Sequence, residues 1–212
     1  MLTIKDAEKY IEEIKAYDIS KGRNPKTWFM FHNHIYGSAY MAKKLAERLN
    51  IIEPDRAFIL GLLHDVGRLH EDYEKTFHGL IGYRRFLNID EDVARISLTH
   101  MFPWNKVYDY ECVKHFFFGK KDDYDFIKNY MDNTTLMEVD KLIQVSDSIA
   151  NAFGFVTIEQ RNKEYTKRHG YPIPINAYND MLSLKKHFDE KLGVDIYTLF
   201  DEIPQDWKMK CA

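Results

Sequence analysis

Residues 57–69 read AFILGLLHDVGRL. Wound as a helix, this segment is apolar almost all the way round, so it belongs in an interior. Yet it carries His64 and Asp65 side by side. An unpaired carboxylate in such a place costs several kcal/mol or takes up a proton. A fold that contains the segment must therefore compensate Asp65, and the remaining sequence has to say with what.

Helical spacing dominates the chain, so the expected class is all-α. Thr3 with Asp6 forms a capping-box pattern ahead of Ile4, Ala7, Ile11 and Ile14. Residues 34–50 repeat the pattern through Ile35, Ala39, Ala42, Leu45, Ala46 and Leu49. Pro54 suits the first position of the next helix, with Gly67 as its end. Asp90 is a cap for EDVARISLTHMF, and Thr135 with Glu138 opens LMEVDKLIQVSDSIANAF. Thr157 with Gln160 starts a helix that Gly170 ends, and Asn176 starts another that Gly193 ends. Strand alternation is scarce, and YPIPI is too proline-rich for a sheet interior. One expectation follows: a single helical domain over residues 1–212, with a body at about 25–170 and a C-terminal helical extension at about 171–212. The seam is RHGYPIPIN, where Pro172 and Pro174 make a turn.

With 212 residues, 45% hydrophobic and 30% charged, the chain can bury one sizeable core. A formal net charge of −3 gives no global support for a nucleic-acid partner. Cys112 and Cys211 are too few for a disulfide framework and fit a reduced, cytoplasmic setting. The N-terminus MLTIKDAEKYIEEIK lacks a signal peptide's basic start and apolar core. No apolar run approaches the ~18 residues of a membrane span.

Other ligand-type side chains sit where core residues would be expected. His34 precedes Ala42, Leu45 and Ala46; His78 leads GLIGYRRFL; His100 continues Val93, Ile96 and Ser97; Asp147 continues Leu136, Val139 (or Asp140) and Ile143. Four imidazoles and two carboxylates suit iron, manganese or zinc, whereas calcium and magnesium prefer oxygen ligands. A divalent cation would let Asp65 stay ionised inside. His32 competes with His34 for one position. His70 reads as a surface neighbour of the site, and His115, His169 and His187 as structural or solvated. Arg68 either forks onto a phosphate or sits at a helix C-terminus favoured by the dipole. Arg161, Lys163, Lys167 and Arg168 read as a solvated helix face from which Arg161 can reach an anion. Lys106, just past His100, is a further candidate phosphate contact. Phe116, Phe117 and Phe118 read as core, with stacking on a base as the alternative. No nucleophilic triad order and no glycine-rich phosphate loop is present.

The order His…His-Asp…His…His…Asp, carried by HIYGSAYMAKKLA, GLLHDVGRL, FHGLIGYRRFL, SLTH and LIQVSDSIA, resembles the HD superfamily of metal-dependent phosphohydrolases from about His34 to about Ala150. The helix-rich HD fold is what the resemblance implies. The ligand set is most similar to the dinuclear members, often di-iron, one group of which hydrolyses diadenosine tetraphosphate. The resemblance implies that His34, His64, Asp65 and Asp147 hold a first metal. Asp65 then bridges to a second, completed by His78 and His100; in a one-metal member those two histidines are supporting groups. His34 is preferred to His32 because the latter would put Tyr40 and Lys44 where the motif has small residues. The implied reaction is attack of a metal-bridging hydroxide on a small phosphorylated substrate, a nucleotide by preference, with Asp65 and Arg68 as catalytic groups and Arg68, Lys106 and Arg161 as substrate contacts. Two other readings share the ligand set: a di-iron oxygenase and a non-catalytic nucleotide-binding module. The sequence departs from the common pattern at Arg68, where lysine is usual, and at Ser146, where alanine is usual.

Overall fold

The computed structural model describes residues 1–22, 24–69 and 75–210. Its helices are α1 (Ile4–Ser20), α2 (Pro25–Leu49), α3 (Pro54–Leu63), α4 (His78–Phe86), α5 (Glu91–Thr99), α6 (Tyr110–Val113), α7 (Lys121–Asn133), α8 (Glu138–Ser148), α9 (Ile158–His169) and α10 (Ile175–Leu192). Short 3₁₀ turns follow at Val66–Leu69, Pro103–Asn105 and Ile196–Glu202. The strands described are a two-residue hairpin, β1 (Ala150–Asn151) antiparallel to β2 (Gly154–Phe155). The fold is all-α, as the periodicity predicts.

Several starts and stops follow the local chemistry read from the sequence. The Thr3 and Asp6 side chains cap α1 reciprocally, and Thr157 and Gln160 do the same for α9. Gly170 and Gly193 close α9 and α10 at φ 81° and 71°, a region glycine enters without steric cost. Others differ. Helix α2 begins at Pro25, capped by Asn24, because Trp28, Phe29 and Phe31 are buried and extend its apolar face. Helix α8 opens at Met137, whose N–H donates to Asp140, whereas the expected Glu138 turns to Lys141 and His187. Helix α10 starts one residue early, after Pro174. Gly67 does not end α3: the α-helix stops at Leu63, and His64 and Asp65 occupy the turn that leads into the 3₁₀ segment.

Helices α2 and α3 lie in close contact, with α8 against both. A Cβ at Gly61 would come within 2.7 Å of the Ala39 Cα, so only glycine allows this approach. Helices α4 and α5 pair, and α5 packs on α3 and α8. The main core joins α1, α2, α3, α5 and α8, and it includes Leu184, Phe188, Ile196, Leu199 and Ile203 from the C-terminal segment. Each such side chain, fully buried, stabilises by roughly 1.5–3 kcal/mol. A second, smaller core gathers Phe77, Leu98, Phe102, Phe117 and Ile127.

A ladder of charges ties α3, α5 and α8 together. Arg56 donates to both Asp90 oxygens, at 2.6 and 2.8 Å, and to Asp92 at 2.7 Å. Arg95 donates to Asp92 at 2.8 Å and to Asp140 at 2.9 Å. Asp90 also accepts from the Val93 N–H as the cap of α5 and from the Leu2 N–H. Helix α5 carries His100 at its far end, so the ladder sets the angle at which that histidine arrives.

No helix among the described residues is long and apolar enough to cross a membrane. Cys112 is an exposed free thiol; Cys211 and His70 lie outside the described residues.

Candidate metal centre

Six side chains from five elements converge. Helix α2 supplies His34, the turn after α3 supplies His64 and Asp65, the start of α4 supplies His78, the end of α5 supplies His100, and α8 supplies Asp147. His34 Nε2 lies 3.1 Å from Asp147 Oδ1, 3.3 Å from His64 Nε2 and 3.6 Å from Asp65 Oδ2. On the other side, Asp65 Oδ1 lies 3.0 Å from His78 Nε2 and 3.4 Å from His100 Nε2, and those two nitrogens are 3.3 Å apart. Two groups of ligand atoms result, His34–His64–Asp147 and His64–Asp65–His100, each mutually close enough to hold one ion. Asp65 faces both sides with different oxygens.

The backbone decides which ring atom of each histidine faces inward. His34 Nδ1 donates to the Ala150 carbonyl at 3.1 Å, His64 Nδ1 to the Gly61 carbonyl at 2.6 Å, and His100 Nδ1 to the Ser97 carbonyl at 2.9 Å. A carbonyl only accepts, so the proton is on Nδ1 and a neutral ring turns an Nε2 lone pair inward. Lone pairs facing each other at 3.3 Å repel unless a cation lies between them. Two donors each ~2.1 Å from one ion at tetrahedral or octahedral angles stand roughly 3.0–3.4 Å apart, which is the spacing found.

Protonation agrees with that donor set. Burial pushes the His64 imidazole down to about 4, against the pull of Asp65. Burial, aided by the Arg68 guanidinium, brings His78 to about 3. Burial alone would raise both carboxyls, yet Arg68 and His78 hold Asp65 well below the usual range, and His34, His64 and Arg161 do so for Asp147. At neutral pH His64 and His78 are neutral imidazoles and Asp65 and Asp147 ionised carboxylates, the forms a divalent metal requires. The donors present therefore fit the divalent metal, and the compensation that Asp65 needs is available from Arg68, the histidines and such an ion.

Close backbone approach brings the HD turn to α4. A Cβ on Gly67 would fall 2.0 Å from the His78 carbonyl oxygen. Gly67→Ala is expected to push His78 outward while leaving the helical circular dichroism intact. Metal affinity should fall by about 10–100-fold, the scale on which supporting groups act; a metal titration measures it.

His78, His100 and Asp147 of the cluster line a cavity of about 530 Å³. Arg68 and Arg161 line it. Arg68 donates to Asp65; Arg161 donates to the Ala150 carbonyl at 2.5 Å and stands 3.6 Å from Asp147. Lys106 does not line it: its ammonium pairs with Asp180 of α10 at 2.5 Å. His34 rather than His32 enters the cluster, since His32 stacks on Tyr36. The three phenylalanines split, with Phe117 in the second core and Phe116 and Phe118 on the cavity wall. His187 pairs with Glu138, but His115 and His169 line the cavity, as does Arg168. These last three escape a reading that treats them as solvated; the seven-residue spacing of Arg161 and Arg168, two helical turns, is the signal that places both on one face.

The model of the HD domain family matches residues 31–152, more than half of the sequence, and the chain belongs to that family. HD domains are typically metal-dependent phosphohydrolases that bind divalent metals. Comparison with curated proteins and with solved structures gives no match.

Proposed function

We propose that the protein hydrolyses a small phosphorylated substrate, by preference a nucleotide, in the manner of the dinuclear HD enzymes. The observation that carries this reading is the convergence of inward-facing Nε2 lone pairs and ionised carboxylates beside an arginine-lined cavity. His34, His64, Asp65 and Asp147 would hold one ion, and Asp65, His78 and His100 a second. Iron is the first expectation, with manganese or zinc as alternatives for this mixed nitrogen–oxygen set. When bound, such ions lower the pKa of coordinated water and neutralise charge on phosphoryl oxygens.

The chain's own groups do the rest. Arg68 and Arg161 flank the cluster and orient an anionic group by charge-assisted hydrogen bonds. The Ala150 carbonyl receives both His34 and Arg161, so one backbone atom sets a metal ligand and a substrate contact together. Aromatic side chains on the wall exclude water and strengthen those electrostatic interactions. The proposed setting is the cytoplasm, where a thiol such as Cys112 stays reduced.

Anaerobically purified protein, loaded with iron or manganese and offered a panel of phosphomonoesters, phosphodiesters and nucleotide anhydrides, is expected to release phosphate or a nucleotide. His64→Ala should reduce that release at least 100-fold, beyond the ~10–100-fold typical of supporting groups. Fully metal-loaded protein that cleaves nothing on the panel would sink the proposal, and oxygen uptake by that protein would favour the oxygenase reading.

A further inference from the structure

Arg168 stands in the last turn of α9 and lines the cavity with Arg161 and Arg68. Arg68 has Asp65 as its carboxylate and Arg161 has Asp147. Among the described residues no carboxylate lies within ion-pair distance of Arg168. Partial burial, together with Arg161 and Arg68, lowers its pKa, and Glu164 only partly offsets this. The helix dipole favours basic residues in a last turn, which accounts for the neighbouring Lys167. It does not account for Arg168 sharing a cavity face with Arg161.

The wall between this mouth and the metal cluster is apolar. Phe77 and Phe102 contribute from the second core, and Phe116 and Phe118 from the turn after α6. Phe118 is 45% exposed and sits at φ 52°, a conformation that strains a bulky residue. An exposed aromatic held under strain beside a cavity is poorly explained by core packing. His115 of the same turn meets Tyr171, just past α9, with ring centroids 6.1 Å apart.

From these observations we infer that the cavity mouth is a second anion-recognition subsite built around Arg168, so that the molecule bound is anionic at both ends with an apolar or aromatic middle. The inference rests on the phosphohydrolase reading for the first anion, a phosphoryl group at the metal cluster. The second anion is a phosphate or a carboxylate of the same molecule; a guanidinium recognises either through the same two-pronged hydrogen bonding.

Calorimetric titration of the metal-loaded protein with matched pairs tests this. Phenyl phosphate is paired with 4-carboxyphenyl phosphate, and 2-naphthyl phosphate with naphthalene-2,6-diyl bisphosphate. The added anion should tighten binding by tenfold or more in at least one pair, and which pair responds distinguishes carboxylate from phosphate. Arg168→Ala should abolish that gain while leaving the single-anion partner's affinity within twofold, and Arg168→Lys should restore part of it. No gain in either pair, a gain that survives Arg168→Ala, or no measurable binding of any of the four compounds would overturn the inference. Phosphate release from the same samples is read separately, so tight anion-selective binding without hydrolysis would sink the enzymatic reading and leave the subsite standing.

Discussion

Asp65→Asn is expected to fold with the parent's helical content and to lose its response to metal. The substitution keeps the shape of the side chain and removes the charge that faces both halves of the cluster. Arg68, whose side chain is 37% exposed, can turn to solvent when its partner is neutralised, so the metal-free fold should survive. Native protein with free metal at a thousand times its Kd gains about 4 kcal/mol of stability by linkage. The variant should gain less than about 1 kcal/mol under the same conditions. Turnover should drop at least ~100-fold, because a direct ligand outweighs the supporting groups whose loss costs ~10–100-fold. Thermal unfolding with and without metal, together with phosphate release, measures both. A variant that kept its metal-induced shift would show that Asp65 is not the shared ligand.

Asp90→Asn is expected to be the most destabilising substitution outside the site. Asparagine still caps α5, so the change isolates the charge opposite Arg56. Breaking one side of a buried, two-pronged ion pair costs roughly 3–5 kcal/mol, since the other charge stays buried without its partner. Burial opposes ionisation of Asp90, but Arg56 and the Leu2 and Val93 N–H groups bring its carboxyl down to about 2. A folded pKa below the unfolded one means that this stability is fully present above about pH 4 and fades as the pH falls toward 2. Urea unfolding of the two proteins should therefore differ most near neutrality and converge in acid. Equal midpoints at pH 7 would contradict the role given to the ladder.

Most of the helical order is legible because it rests on local chemistry. Thr3 with Asp6, Asp90, Thr157 with Gln160, Gly170 and Gly193 act within a few residues of themselves, and the structure uses each as read. The first nine residues of α2 are not legible in that way. WFMFH is apolar without a clear period, and only tertiary burial of Trp28, Phe29 and Phe31 makes it helix. The end of α3 is misread for a related reason: His64 and Asp65 leave the α-helix to face α2, α4 and α5, a demand set by distant partners.

The candidate ligands stand out because each is polar on an otherwise apolar face, so local pattern exposes them. The cavity mouth has no such contrast. Arg168 is surrounded in sequence by Lys163, Lys167 and His169, which hides its alignment with Arg161. Lys106 and Asp180 are 74 positions apart, and nothing local predicts that α10 removes this lysine from the site. Phe116, Phe117 and Phe118 form one apolar run in sequence, yet a tight turn sends them to different surroundings.

The most direct test counts metal. Elemental analysis of anaerobically purified protein, with the same analysis of His78→Ala and His100→Ala, reads the two halves of the cluster separately. A dinuclear centre predicts two ions per chain in the native protein and close to one in either variant, with His34, His64, Asp65 and Asp147 keeping theirs. Native protein that binds no divalent ion, or a count that the two histidine variants leave unchanged, would contradict it.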